Sequence, residues 1–136
     1  MKRLRALVAG LSACLALVAG AARAADADVS LIFVGDVMLD DGPGRLIAAG
    51  GDPLAKVAPL LAGADYRIAN LECSVSTRGQ GLPGKPYAFR ASPDALRVMQ
   101  GRFDAVAVAN NHSGDFGSEA FVDTLEHARR AGIQAF

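Results

Sequence analysis

Apolar and polar positions in this chain fall into short blocks rather than one long period. Val29-Ser30-Leu31-Ile32-Phe33-Val34 is a β-branched and aromatic run stopped by Gly35. Tyr66 to Ala69 forms a second run and Asp104-Ala105-Val106-Ala107-Val108-Ala109 a third. Near-continuous apolar runs of this length predict buried strands. Helical signals lie between them. Asp40 to Gly44 reads as a turn and Arg45 to Ala49 as a short helix ended by Gly50-Gly51. Asp52-Pro53 opens another helix, with Asp as N-cap and Pro at its first position, which Pro59 kinks or splits. Ser92-Pro93-Asp94 starts a helix through Leu96 and Met99 that Gly101 stops. Ser118 caps a last helix in which Phe121, Leu125 and Ala128 share one face, with Arg129 and Arg130 at the negative end of the dipole before Gly132. Gly132 to Phe136 then begins a fourth strand. Alternating strand and helix predicts an α/β domain with a parallel sheet. Residues 73–92 interrupt the alternation with a long connection rich in Gly, Pro, Ser and charge, and long ordered loops of this kind are more often functional than incidental.

The opening residues belong to a different pattern. Lys2, Arg3 and Arg5 form a basic start, Ala6 to Gly20 is apolar and small, and Ala22-Arg23-Ala24 supplies a small-x-small cleavage site. Residues 1–24 are therefore expected to be a signal peptide cut after Ala24, leaving residues 25–136 as one exported domain, periplasmic or extracellular. Arg23 interrupts the apolar run too early for a permanent transmembrane span, which needs about 20 apolar residues. Leu11-Ser12-Ala13-Cys14 looks like a lipoprotein box, but the apolar run continues through Leu15 to Val18, so lipidation at Cys14 is the minor reading.

Cleavage also changes the charge. The 14 basic and 14 acidic residues of the whole chain balance, and removing Lys2, Arg3, Arg5 and Arg23 leaves a formal charge of −4. A mildly acidic domain without a basic patch interleaved with aromatics excludes a nucleic-acid partner. Its single remaining cysteine, Cys73, excludes an internal disulfide, so stability must come from a core.

Chemistry-bearing residues gather where the predicted strands end. Gly35-Asp36 follows the first run, Asn70-Leu71-Glu72 the second and Asn110-Asn111-His112 the third. In an open parallel sheet, ligands bind in the crevice beyond the carboxyl ends of the strands, so three successive polar ends should converge. Each has an ordinary explanation in isolation: a turn former, a solvated loop, a polar turn. Their coincidence points instead to one site, and acid, amide and imidazole together suit a metal-assisted hydrolytic centre. Lys85 and Arg90, in the long connection, place two cations nearby for an anionic substrate.

Other motifs carry less. Gly79-Gln80-Gly81-Leu82-Pro83-Gly84-Lys85 matches both a dinucleotide fingerprint and a phosphate loop in letters. It lies in a loop rather than between strand and helix, Pro83 removes an N–H, and Pro86 stands where Ser or Thr must bind Mg²⁺, so both readings are rejected. Cys73 as a nucleophile served by His112 lacks a third orienting group. His127 falls on the flank of an amphipathic helix and is expected to be exposed.

Four segments, Phe33-Val34-Gly35-Asp36-Val37-Met38-Leu39, Asn70-Leu71-Glu72, Lys85-Pro86-Tyr87-Ala88-Phe89-Arg90 and Ala109 to Gly117, resemble the bacterial CapA capsule-synthesis family, associated with poly-γ-glutamate capsules and similar in fold to calcineurin-like metallophosphoesterases. The resemblance covers residues 29–136. It implies a metallophosphoesterase-like four-layer α/β/β/α sandwich, of which this chain holds the N-terminal strands and helices, with a centre of two divalent ions (Mn, Fe or Zn). Asp36 and Asn111 would hold metal, with Asn70 or Glu72 at the bridging position, and His112 would protonate the leaving group. Asn110 and Asp115 would join Lys85 and Arg90 on the substrate side. Met38 stands in place of the second residue of the usual Asp-x-His, and the downstream histidine blocks are absent, which implies a domain truncated at its C-terminus and an incomplete centre. The implied function is capsule or exopolymer biosynthesis by hydrolysis or transfer at a phosphoester or acidic polymer, alongside other capsule-assembly proteins. A non-catalytic envelope protein that holds an acidic polymer through the same crevice is the alternative.

Secreted protein is expected to begin at Ala25. N-terminal sequencing that returned an acylated Cys14 would contradict cleavage after Ala24.

Overall fold

A computed structural model describes residues 28–136; the expected signal peptide, its cleavage site and Cys14 lie outside these residues. Four strands build one parallel sheet: β1 (Leu31–Val37), β2 (Tyr66–Leu71), β5 (Ala105–Ala107) and β6 (Gln134–Ala135), in that spatial order. Two shorter strands, β3 (Ser74–Val75) and β4 (Arg90–Ala91), pair in parallel by themselves. Helices α1 (Asp41–Ala48) and α2 (Ala58–Leu61) connect β1 to β2, a 3₁₀ helix over Pro93–Val98 precedes β5, and α3 (Gly117–Arg130) leads to β6. The mixed α/β architecture with a parallel sheet follows the alternation read from the sequence.

Strand order and side-chain parity decide where the core lies. Each strand of the large sheet sits beside its predecessor, and right-handed crossovers then put every connection on the same face. Leu39, Leu71, Val75, Met99, Val106 and Ile133 are fully buried on the covered side. Leu31, Phe33 and Phe136 remain exposed, Phe33 at 70%. On that open face the Tyr66 hydroxyl donates to Gln134 Oε1 at 2.7 Å, bridging β2 to β6 across β5, where the small side chain of Ala105 is buried.

Element boundaries shift from the expected ones for local reasons. Strand β1 runs past Gly35 through Asp36 to Val37, because its register against β2 slips between Phe33 and Asp36 in a bulge. Strand β2 likewise extends through Asn70 and Leu71. Asp104 lies outside β5, its carboxylate accepting from the Arg67 backbone N–H and guanidinium. The turn expected at Asp40 to Gly44 is already helical from Asp41, since Pro43 falls in the first turn, where its missing N–H costs nothing. Asp52 caps no helix: it accepts from the Leu54 N–H at 2.9 Å in a local turn and pairs with Arg102. Pro59 opens the short α2 instead of kinking a longer helix. Ser118 is inside α3, whose N-terminus has no side-chain cap. None of the helices among the described residues is long and apolar enough to cross a membrane.

The long connection is tied down at both ends. Val75 N–H donates to Thr124 Oγ1 of α3 at 2.8 Å, and Ser76 Oγ and the Arg78 guanidinium both reach Asp123 on the same helix. Arg90 stacks over the Phe116 ring at 4.3 Å and donates to the carbonyls of Arg78 and Gly79 at 2.9 Å. Gly79 is left-handed, with φ of 80°, and a Cβ there would meet the Phe116 carbonyl oxygen at 2.0 Å. Contact with protein backbone therefore explains this glycine without any phosphate.

Gly79→Ala should cost at least about 2 kcal/mol, because it combines left-handed strain with a backbone clash that no side-chain rotation relieves. Urea denaturation measures this; a loss under about 0.5 kcal/mol, the range of an ordinary surface change, would refute the packing account.

Candidate functional site

The three polar strand ends do converge, and the bulge in β1 is the reason the first takes part. Phe33 pairs with Ile68, and Asp36 with Asn70. Three residues apart in a regular strand, Phe33 and Asp36 would face opposite sides of the sheet. The inserted residue restores parity and places Asp36 beside Asn70, a role bulges often serve near functional sites. Asn70 Nδ2 donates to Asp36 Oδ1 at 2.8 Å and also to Glu72 Oε2. One amide thus links two carboxylates whose charges would otherwise repel.

Asn110 continues the network from the loop after β5. Its Nδ2 donates to Asn70 Oδ1 and to the Leu71 carbonyl, both at 2.9 Å, while its Oδ1 accepts from the His112 N–H at 2.9 Å. Ser113 Oγ donates to the Val108 carbonyl and closes the turn. This geometry presents the His112 imidazole toward β2, with Nε2 3.8 Å from Glu72 Oε1; the two side chains are 12% and 14% exposed. The opposite nitrogen, Nδ1, pairs with Asp115 Oδ2 at 2.8 Å.

Asp115, expected on the substrate side, is fully buried, at 0% exposure. Burial pushes its carboxyl up, but hydrogen bonds from Lys85, His112 and the Phe89 N–H outweigh that and hold it below the ordinary carboxylate range. Lys85 is likewise not a free cation, since its Nζ donates to Asp115 and to the Asn111 carbonyl. The Arg90 guanidinium is spent on Phe116 and two loop carbonyls. Asn110 is committed to Asn70, Leu71 and His112 rather than turned outward. Asn111 is exposed and lines a cleft of about 250 Å³ with His112, Lys85, Pro86, Tyr87 and Phe89. A larger cleft of about 770 Å³ between α1 and the 3₁₀ helix does not include the imidazole among its lining residues.

A divalent ion fits this set only in part. Carboxylate, amide and imidazole are suitable donors, yet among the described residues no three His, Cys, Asp or Glu side chains are arranged to hold one. The residues present do not form a complete metal shell. Cys73 is buried, and desolvation pushes its thiol up to about 11, which leaves it inert as a nucleophile. The Phe89 ring, 4.6 Å from the His112 ring centroid, is a contributor that strand-end reasoning overlooked. Its proximity to Lys85 in sequence was the available signal, as was the i,i+3 spacing of His112 and Asp115.

The model of the bacterial capsule synthesis protein PGA_cap matches residues 30–136. This chain belongs to that family. Among curated proteins, the probable polyglutamine synthesis accessory proteins of two Mycobacterium tuberculosis strains, CDC 1551 and H37Rv, are each 35% identical over 72 residues. The match covers 52% of this chain and 19% of each relative, so the chain spans only about a fifth of the curated relatives it matches. The CapA resemblance carried by the four motifs agrees with both findings.

Replacing the bridging amide tests the cluster. Asn70→Asp should set three carboxylates together and raise the pKa of the introduced carboxyl. The destabilisation should then be small near pH 4, where that group is protonated, and grow as pH rises through its elevated folded pKa. Thermal unfolding of both forms across pH 4–8 measures it; a difference independent of pH would show that Asp36 and Glu72 do not share the amide.

Proposed function

We propose that this chain works in building a poly-γ-glutamate-type capsule polymer, and that the strand-end cluster is a phosphoesterase-like site for hydrolysis or transfer at an anionic group. Family membership and the naming of the relatives as polyglutamine synthesis accessory proteins support the first part. One observation carries the second: an imidazole fixed through Nδ1 to a buried carboxylate, with Nε2 turned toward Glu72 beside an open cleft. In the protonated ring Nδ1 donates to Asp115 and Nε2 holds the proton available to a leaving-group oxygen. The Asp115 carboxylate, bonded to Nδ1, fixes ring orientation, as expected of a group supporting a general acid.

The divalent ions implied by the resemblance belong to this reading as a proposal, with Asp36, Glu72 or Asn70, and Asn111 as candidate donors for part of a shell. The four-layer sandwich is proposed on the same footing: parallel sheets are normally covered on both sides, and the open face bearing Leu31, Phe33 and Phe136 is apolar enough for a second sheet. Export after cleavage at Ala24 would put the site in the cell envelope, where capsule polymer and other assembly proteins meet. The rival, a non-catalytic polymer binder, draws less support, because Lys85 and Arg90 are both occupied internally.

In the intact chain His112→Ala should slow cleavage of an unactivated alkyl phosphoester by about 10² to 10⁴ while barely affecting an activated aryl phosphate, whose leaving group needs no proton. Asn111→Ala should lower bound divalent metal, read by elemental analysis, and impair both substrates. Equal losses for His112→Ala on the two substrates would remove it as general acid; unchanged metal in Asn111→Ala would remove that ligand.

A further inference from the structure

We propose that the segment Lys85 to Phe89 is a positioning strap for His112, acting through Asp115 on the imidazole rather than on substrate. The inference rests on the reading of His112 as proton donor and adds to it the part of the chain that aims the ring.

Three contacts of this segment meet at one buried group. Lys85 Nζ donates to Asp115 Oδ1, and the Phe89 N–H donates to Asp115 Oδ2 at 2.8 Å, the same oxygen that takes His112 Nδ1 at 2.8 Å. A carboxylate oxygen with two fixed donors has little freedom to swing, so the direction of the His112 hydrogen bond is set by where Phe89 and Lys85 stand. Lys85 Nζ also holds the Asn111 carbonyl, which ties the strap to the residue preceding His112. The Phe89 ring, tilted 55° to the imidazole with centroids 4.6 Å apart, limits rotation from the side.

The strap is itself anchored. Leu82 N–H donates to the Asp115 carbonyl at 2.8 Å, Ser74 N–H to the Phe89 carbonyl at 3.2 Å, and Arg90 N–H to Asp40 Oδ2 at 2.7 Å. Lys85 lines the cleft, but its side chain is only 27% exposed and its ammonium is engaged by the buried Asp115 carboxylate and the Asn111 carbonyl. Tyr87, exposed between the two anchor residues, is left as the outward-facing member.

The test uses Lys85→Met, which keeps the stem and loses charge and donors, with Lys85→Arg as the conservative partner. The His112 ring nitrogens are followed by long-range ¹H–¹⁵N NMR in the intact chain, with His127→Gln for assignment. A positioning role predicts that Lys85→Met shifts the Nδ1 and Nε2 resonances of His112 and that Lys85→Arg largely restores them. On glycerol phosphate, kcat should fall about 10- to 100-fold, a fraction of what a proton donor supplies, with KM within about twofold. A raised KM with His112 resonances unchanged would make Lys85 a substrate contact and overturn the proposal. If the wild-type chain turns over no phosphoester, the catalytic reading fails while the NMR comparison still decides the strap. Should Lys85→Met not fold, Phe89→Leu retains the backbone donor and removes only the ring; unmoved His112 resonances in that variant would equally overturn the strap.

Discussion

A carboxylate shut away from water must be met by donors or give up its charge, and Asp115 imposes that condition on everything around it. Its partners arrive from separate stretches of chain: Lys85 and Phe89 from the long connection, His112 from the turn after β5. Removing one partner of a buried ion pair typically costs about 3–5 kcal/mol, well above what an exposed pair contributes. The connection and the turn are therefore mutually dependent. Strands β3 and β4, and the contacts of Ser76 and Arg78 with Asp123 on α3, hold the connection at the distance the carboxylate requires.

On the other side of the site the controlling element is backbone register. A strand without the bulge between Phe33 and Asp36 would turn Asp36 away from Asn70, and the amide bridge to Glu72 would lose one carboxylate. Asn110 joins the two halves, since it bonds to Asn70 and Leu71 on β2 and to the backbone N–H of His112. Sheet register and the buried carboxylate thus meet at the imidazole: Glu72 stands on one side of the ring and Asp115 on the other.

The glycine-rich stretch from Gly79 to Lys85 shows how little a short motif means without its setting. Its letters fit two nucleotide-binding patterns, yet Gly79 is required by the Phe116 carbonyl, and Lys85 is turned inward to Asp115. The stretch lies within the residues matched by the capsule synthesis family, together with the strand ends.

Hydrophobic patterning was enough to locate the four strands of the parallel sheet, the amphipathic α3 and the three polar strand ends, because burial on a sheet or a helix face leaves a period in the residues themselves. It was also enough to bring Asp36, Asn70, Glu72 and His112 to one end of the sheet, since topology confines strand ends in a parallel sheet to a common edge. It did not reveal the bulge in β1, which depends on pairing with β2, nor the early start of α1 and the local turn at Asp52, which depend on backbone geometry and on Arg102. The roles of Lys85, Arg90 and Asp115 were the least legible. Charge type is visible in sequence, but whether a charge faces water or another charge is decided by contacts between residues 26 to 30 positions apart, and only the folded chain brings those together.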